Sequence, residues 1–323
     1  MAVMGMRERH LGVAGRLRLA LAAAELELAV RALPRSVHER HWRPAPPAQL
    51  RFGHQGSVRI RPDGYVSGVR LLLASSLVVL AAATAAPAAD VRLKIVFPEG
   101  WSVRQMADRV SEVRQIAIRK RHITPVLTGT SYAAAAANTP RPVGFPRGSK
   151  IEGFLFPSAY IFGPSSTASD VIRLQLAAFT AAWSSVTVGA HKPYDVLTVA
   201  SMIERETKAP EERKLVSAVI WNRLAKGMPL GIDATLRYGL GVEGTKALTA
   251  ADFRNQTPYN TSIHKGLPPT PIGNPGLASL LAAARPASVD YLYYVRKPDH
   301  VHHFFTASEQ EFCQKAKEYG YHC

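Results

Sequence analysis

The densest chemistry in the chain lies in Ala200-Ser-Met-Ile-Glu204-Arg-Glu206-Thr207, where two carboxylates stand two residues apart in an otherwise apolar run. A carboxyl group among apolar neighbours can stay protonated near neutral pH, give its proton to a leaving oxygen and take one back. Residues two apart on a helix are separated by about 200° around its axis, so Glu204 and Glu206 cannot both be aimed into one cleft. The plainer reading is a charged helix shoulder, with Arg205 and Lys208 offsetting the acids. Further on, residues 255–276 form a run of Pro, Gly and Asn that includes Tyr259, Asn260 and Lys265. The run has no core periodicity and is too varied for a low-complexity linker, which suits a long ordered loop walling a binding cleft. His300, His302 and His303 lack partner acids at metal-ligand spacing, so no metal site is expected. Cys313 and Cys323 are the only cysteines. They exclude a zinc ribbon or iron–sulfur site and are compatible with either a disulfide or two free thiols.

The elements that must position these groups can be read from periodicity. Val91 to Phe97 alternates apolar and polar residues, a half-buried strand. Pro98-Glu99-Gly100 turns the chain, and Ser102 with Gln105 has capping-box spacing for a helix with Val103, Met106, Ala107 and Val110 on its apolar face. Gly129 to Ser149, rich in Ala, Thr, Pro and Gly, reads as a linker. Asp170 to Ala182 reads as a helix, and Asp195 starts another that carries Glu204 and Glu206. Pro210, followed by Glu211 and Glu212, suits the start of a third, burying Leu215, Val219 and Ile220 and ending at Gly227. Asn274-Pro275 opens a short helix, and a strand over Val289–Val295 is expected to pair with His303–Phe305.

The chain has 323 residues, enough for about two domains. With 47% hydrophobic and 20% charged residues, wholesale disorder is excluded. The net charge of +16 is unevenly spread: residues 1–70 hold twelve Arg, no Lys and five acids, or +7, which leaves +9 for the rest. Residues 1–68 read as a poorly ordered basic tail, or as sequence upstream of the true start. Leu71 to Ala89 carries no charge. Nineteen helical residues span roughly 28 Å, close to a bilayer core. The arginines before it place the N-terminus in the cytoplasm and the remainder outside. A cleaved signal, suggested by Ala85-Ala86-Pro87-Ala88-Ala89, and a buried Ala-rich helix are the alternatives. No aromatic-interleaved basic patch is present, so a nucleic-acid partner is not expected.

These residues together resemble the endolytic murein transglycosylases, the YceG-like family. The resemblance rests on Glu152-Gly-Phe-Leu-Phe-Pro157, Ala200–Thr207, Pro210-Glu-Glu-Arg213, Asn222-Arg-Leu and Lys226-Gly-Met-Pro-Leu230. It continues through Asp233, Thr235, Tyr238, Tyr259-Asn-Thr261, Gly266-Leu-Pro-Pro269, Asn274-Pro-Gly276 and Tyr291-Leu-Tyr293, covering about residues 151–310. Pro98-Glu-Gly-Trp101 is similar to the family's small LysM-like subdomain, here shortened. The usual Asp-Pro-Thr reads Asp233-Ala234-Thr235, and Ser262 replaces an aromatic.

The resemblance implies an α+β protein with a single N-terminal transmembrane helix. It divides the chain into a tail (1–68), an anchor (69–89), a truncated LysM-like subdomain (90–128), a linker (129–150) and a catalytic domain (151–323). It implies cleavage of the β-1,4 bond between N-acetylmuramic acid and N-acetylglucosamine in peptidoglycan glycan strands, leaving a 1,6-anhydro end. One carboxyl suffices: it protonates the leaving oxygen, then takes the proton of the muramyl C6 hydroxyl as that oxygen closes on C1. Glu206 is the expected acid and Glu204 the alternative. Glu152, Asn222, Asp233, Thr235, Tyr238, Tyr259, Asn260 and Thr261 are the expected substrate-binding residues. No cofactor or metal is implied. The cytoplasmic membrane and peptidoglycan synthases are the further partners the resemblance suggests. A wall-binding or divisome scaffold without activity, and a muramidase that admits water, are the rival readings.

Overall fold

In the computed structural model, which describes residues 91–148, 150–242 and 247–322, helices dominate and two small antiparallel sheets complete an α+β architecture. The tail, the apolar segment 71–89 and Cys323 lie outside the described residues. No described helix is long and apolar enough to cross a membrane.

Strand β1 (Leu93–Val96) buries Leu93 and Ile95 and exposes Lys94 and Val96, as its alternation predicts. Its partner is β2 (Ala159–Phe162), with Ile95 opposite Tyr160. Residues expected to form a separate subdomain therefore share a sheet with the expected catalytic region. Helix α1 (Val103–Arg121) starts on the predicted capping box: Ser102 Oγ accepts from the Gln105 N–H, and Gln105 Oε1 from the Ser102 N–H. Arg119, Lys120 and Arg121 in its last turn suit the negative end of the helix dipole.

The stretch expected to be a linker contains helix α2 (Gly129–Asn138). Five consecutive alanines are strong helix formers, and Thr128 with Ser131 closes a second capping box. Alanine supplies no amphipathic stripe, which is why a periodicity reading passes over it. Gly129 lets α2 approach α1 closely, since a Cβ there would meet the Ala107 carbonyl and the Ser111 hydroxyl.

Helix α3 (Ala168–Trp183) precedes α4 (Pro193–Glu206), in which every residue from Val196 to Ile203 is buried. A helix buried all round is a central one. It packs against α5 (Arg213–Ala225), α6 (Asp233–Leu240) and, most extensively, α8 (Leu277–Ala284); a short α7 (Ala250–Phe253) lies between α6 and α8. A 3-10 turn, Pro210–Glu212, leads into α5. Val216 takes the buried place expected for Leu215, which is half-buried. Strands β3 (Tyr293–Arg296) and β4 (His303–Thr306) form the expected hairpin, and α9 (Glu309–Glu318) packs on it. Cys313 on α9 is disulfide-bonded.

One buried amide ties the parts together. Asn274 Oδ1 accepts from the Gly153 and Leu155 N–H groups at 3.0 and 2.9 Å. Its Nδ2 donates to the Trp101 carbonyl at 2.8 Å and to Glu152 Oε1 at 2.9 Å. Its own carbonyl accepts from the Gly100 N–H at 2.8 Å. Asn274→Ala strands several buried polar groups at once and should lower unfolding free energy by about 3 kcal/mol or more. A urea titration checks this, and Asn274→Asp, which loses the donor and faces Glu152, should not rescue it.

Candidate functional site

Helix α4 leaves the core at its C-terminal end, where Glu204, Arg205 and Glu206 follow the buried run Val196–Ile203 with part of their surface open. The two acids diverge there, as a spacing of two residues requires. Glu206 turns towards β3 and the start of α6. The Tyr294 hydroxyl donates to Glu206 Oε2 at 3.3 Å, and the Ala234 N–H also donates to this carboxyl. Ala234 is the second residue of α6, whose cap residue Ile232 has no side-chain oxygen, so Glu206 supplies part of the missing N-terminal cap. Burial pushes the Glu206 carboxyl above the usual carboxylate range, and Asp233 adds to the effect. Arg296, Tyr294 and the Ala234 N–H pull the other way. Asp233 is itself pushed up by burial, against Arg237 and Arg296. The site thus holds two neighbouring carboxyls, each pushed above its ordinary range chiefly by burial.

Glu204 faces the opposite side. Its Oε2 accepts from the Gly276 N–H at 2.9 Å, and its Oε1 pairs with Arg213 Nη2 at 3.6 Å, with both side chains largely buried. Arg213 Nε in turn donates to Ser279 Oγ at 3.2 Å. Glu99 of the Pro-Glu-Gly turn lies over the same spot: a Cβ on Gly276 would collide with its carboxyl. Burial pushes Glu99 up, Glu204 adds to this and Arg213 opposes it. Glu204 is therefore engaged in a clamp between α4, α5, the 271–276 loop and the turn before α1, whereas Glu206 takes no part in that clamp.

Glu152, expected to bind substrate, is buried and accepts from Val103, Tyr238 and Asn274. The Val103 N–H reaches both its oxygens at 3.1 and 3.2 Å, the Tyr238 hydroxyl donates at 3.0 Å, and Asn274 Nδ2 at 2.9 Å. It neutralises the N-terminus of α1 from a distance in sequence. Beside it lies a cavity of about 300 Å³ lined by Lys150, Tyr238 and Tyr259 among others. The two tyrosine rings meet edge-on at 5.0 Å, and Tyr259 Oη pairs with Thr270 Oγ1 at 2.9 Å. Burial, and then Glu152, raise the Tyr238 phenol.

Other expected binding residues are spent inside the chain. Thr235 and Asn260 have no exposed surface. Thr235 Oγ1 donates to the Ile232 carbonyl and meets Thr261 Oγ1 at 2.9 Å, and Thr261 Oγ1 also takes the Ile232 N–H. Asn260 Nδ2 donates to the Phe253 and Asn255 carbonyls. These three hold the 255–261 loop against the start of α6 rather than facing a ligand. Asn222 is committed too, donating to the Val289 and Tyr291 carbonyls at 2.9 Å each. Sequence reasoning missed Tyr294 and Arg296. Their signal is a polar and a charged residue at i and i+2 on an aromatic strand, hence on one face. Next to Glu206, the buried Thr207 hydroxyl has no partner among the described residues.

A profile of the YceG-like family matches residues 71–318. An endolytic murein transglycosylase of Bacillus subtilis is 36% identical over 155 residues, covering 46% of this chain and 42% of that protein. An endolytic murein transglycosylase of Streptococcus pneumoniae is 28% identical over 227 residues, covering 65% of this chain and 41% of that protein. This chain thus spans about two fifths of the length of these curated relatives. A solved yceG-like protein of Listeria monocytogenes is similar with a TM-score of 0.53 and 28% identity, over 68% of this chain and 74% of that one.

The raised Glu206 has a consequence for stability. Below the ordinary value of 4.5 the carboxyl is protonated in both folded and unfolded chains. As pH rises through that value the unfolded carboxyl ionises first, so the fold loses stability until the folded value is passed. Glu206→Gln cannot ionise and keeps an acceptor for Tyr294 and Ala234. It should therefore melt at a higher temperature than wild type at pH 7, with the difference closing towards pH 4; calorimetry across that range checks both points.

Proposed function

This chain belongs to the YceG-like family, and on that premise we propose that it is an endolytic lytic transglycosylase of peptidoglycan. It cleaves the β-1,4 bond between N-acetylmuramic acid and N-acetylglucosamine in nascent glycan strands, leaves a 1,6-anhydro end and so terminates elongation. The relatives from Bacillus subtilis and Streptococcus pneumoniae, both endolytic murein transglycosylases, support the reaction class. The observation that carries the reading is Glu206, a partly exposed residue at the end of a buried helix whose carboxyl is pushed above the usual range by burial and then by Asp233.

The chemistry follows from that carboxyl. Protonated Glu206 donates to the leaving glycosidic oxygen, and the bond to C1 breaks. The carboxylate so formed is stabilised by the Tyr294 hydroxyl, the Ala234 N–H and Arg296, the groups that favour its charged form. It then takes the proton of the muramyl C6 hydroxyl as that oxygen bonds to C1. No second carboxylate has to activate a water on the opposite face, as an ordinary glycosidase requires. Asp233 serves to keep Glu206 protonated before the first step. Tyr238 and Tyr259, edge to face at the cavity beside Glu152, are suited to sugar rings.

The wider setting is part of the same reading. The uncharged segment 71–89 anchors the chain once in the cytoplasmic membrane, with the catalytic region outside. The strand, turn and helix over residues 93–121 serve as a shortened LysM-like module, which their β1–turn–α1 order supports. Peptidoglycan synthases, which make the strands to be cut, are the expected protein partners.

Purified full chain should release anhydromuramyl ends from isolated glycan strands, read by mass spectrometry. Glu206→Gln should lower this by about a thousandfold or more while the protein stays folded. Reducing muramic acid ends would mean hydrolysis and overturn the anhydro chemistry. Loss in Glu204→Gln with an active Glu206→Gln would overturn the assignment of the acid.

A further inference from the structure

The hairpin that covers Glu206 is pinned by a buried pair that the reaction itself does not use. His303 Nδ1 meets Glu212 Oε2 at 2.7 Å, and the His303 N–H donates to Glu212 Oε1 at 2.9 Å. Their side chains are 2% and 8% exposed. Glu212 belongs to the 3-10 turn that follows α4, six residues after Glu206 in the chain; His303 opens β4. In the hairpin register His303 stands opposite Arg296, one pleat from Tyr294. Its ring meets the Tyr294 ring edge-on, with centroids 5.3 Å apart and planes at 86°. Phe305 packs against both rings, 5.9 Å from Tyr294 and 6.0 Å from His303. The contacts therefore run from Glu212 through His303 to the Tyr294 ring, and from the Tyr294 hydroxyl to Glu206.

We propose that Tyr294 is a positioning residue for Glu206, and that the buried Glu212–His303 pair holds the tyrosine ring where its hydroxyl reaches that carboxyl. The proposal rests on the reading of Glu206 as the acid and adds what sets its orientation and proton affinity. A buried carboxyl bound by both a ring nitrogen and a backbone N–H is a rigid anchor, and the loop from α4 to α5 thereby clips the hairpin over the end of its own helix. The groups facing Glu206 are Tyr294 and Arg296 from β3, and Asp233 and the Ala234 N–H from α6. Those facing Tyr294 are Glu206, Asp233 and Arg223 of α5. A hydroxyl donating to a carboxyl favours the carboxylate, so Tyr294 limits how far its surroundings push Glu206 up.

The test is the pH dependence of strand cleavage by the full chain. Tyr294→Phe keeps the ring and removes only the hydroxyl. Its kcat should fall roughly ten- to a hundredfold with KM within about twofold. The basic limb of its kcat profile should move to higher pH, because a donor to the charged form is gone. A lower kcat with an unmoved limb would make Tyr294 merely structural and overturn the proposal. Glu212→Gln should move the limb in the same direction by less, and adding it to Tyr294→Phe should move it no further. An independent, additive shift would detach Glu212 and His303 from the tyrosine and overturn that half. An active Glu206→Gln would sink the underlying reading instead, whatever Tyr294→Phe does.

Discussion

A side-chain amide buried from water has two donor hydrogens and an acceptor oxygen to satisfy, and Asn274 satisfies them across three segments far apart in sequence. It fixes the turn before α1, the 152–155 loop and the entrance to α8 against one another. Because one of its partners is Glu152, which also holds the first N–H of α1, the same few bonds set where α1 begins. Two residues beyond Asn274, the Gly276 N–H reaches Glu204. The frame around the end of α4 is thus a continuous hydrogen-bonded path, in which a single unsatisfied member would cost as much as a typical core mutation.

That frame explains how two acids in one motif come to do different work. Spacing of two residues sends them to opposite sides of the helix. On one side Glu204 meets Arg213, the Gly276 N–H and the turn carrying Glu99, and it becomes part of the clamp. On the other, Glu206 meets a phenol, the uncapped start of a helix and a second carboxyl that disfavours its ionisation. The same residue type is made scaffold or proposed acid by what each face of the helix touches.

Much of this was legible in the sequence because it follows from local rules. The Ser102–Gln105 capping box, the alternation of β1, the proline that opens the 3-10 turn and the divergence of Glu204 and Glu206 all rest on spacing alone. What escaped reading depends on partners brought from elsewhere. The α2 helix is built from alanine, which has helix propensity but no stripe. The β1–β2 pairing joins strands separated by two helices. Thr235, Asn260 and Thr261 look like ligand-binding groups by type, yet the loop they sit in needs their hydrogen bonds more than a ligand could. Polar residues in a Pro- and Gly-rich loop have two possible employers, solvent-side ligand or starved backbone, and only the fold decides between them.

The hairpin shows the same ambiguity resolved the other way. Tyr294 reads as an ordinary strand aromatic and His303 as one of a histidine trio, yet the first bonds to Glu206 and the second is buried against Glu212. Carboxyls that burial drives towards their protonated forms are ready to give a proton but reluctant to be left charged. An acid that must later act as a base needs both tendencies in balance. Here burial and Asp233 supply the first, while Arg296, Tyr294 and the Ala234 N–H supply the second. The second set comes from β3 and α6, elements that follow the acid in the chain and are held in place by the Glu212 anchor and the Asn260–Thr261 loop. The proton affinity of Glu206 is therefore a property of the assembled fold, and no stretch of sequence around the acid carries it.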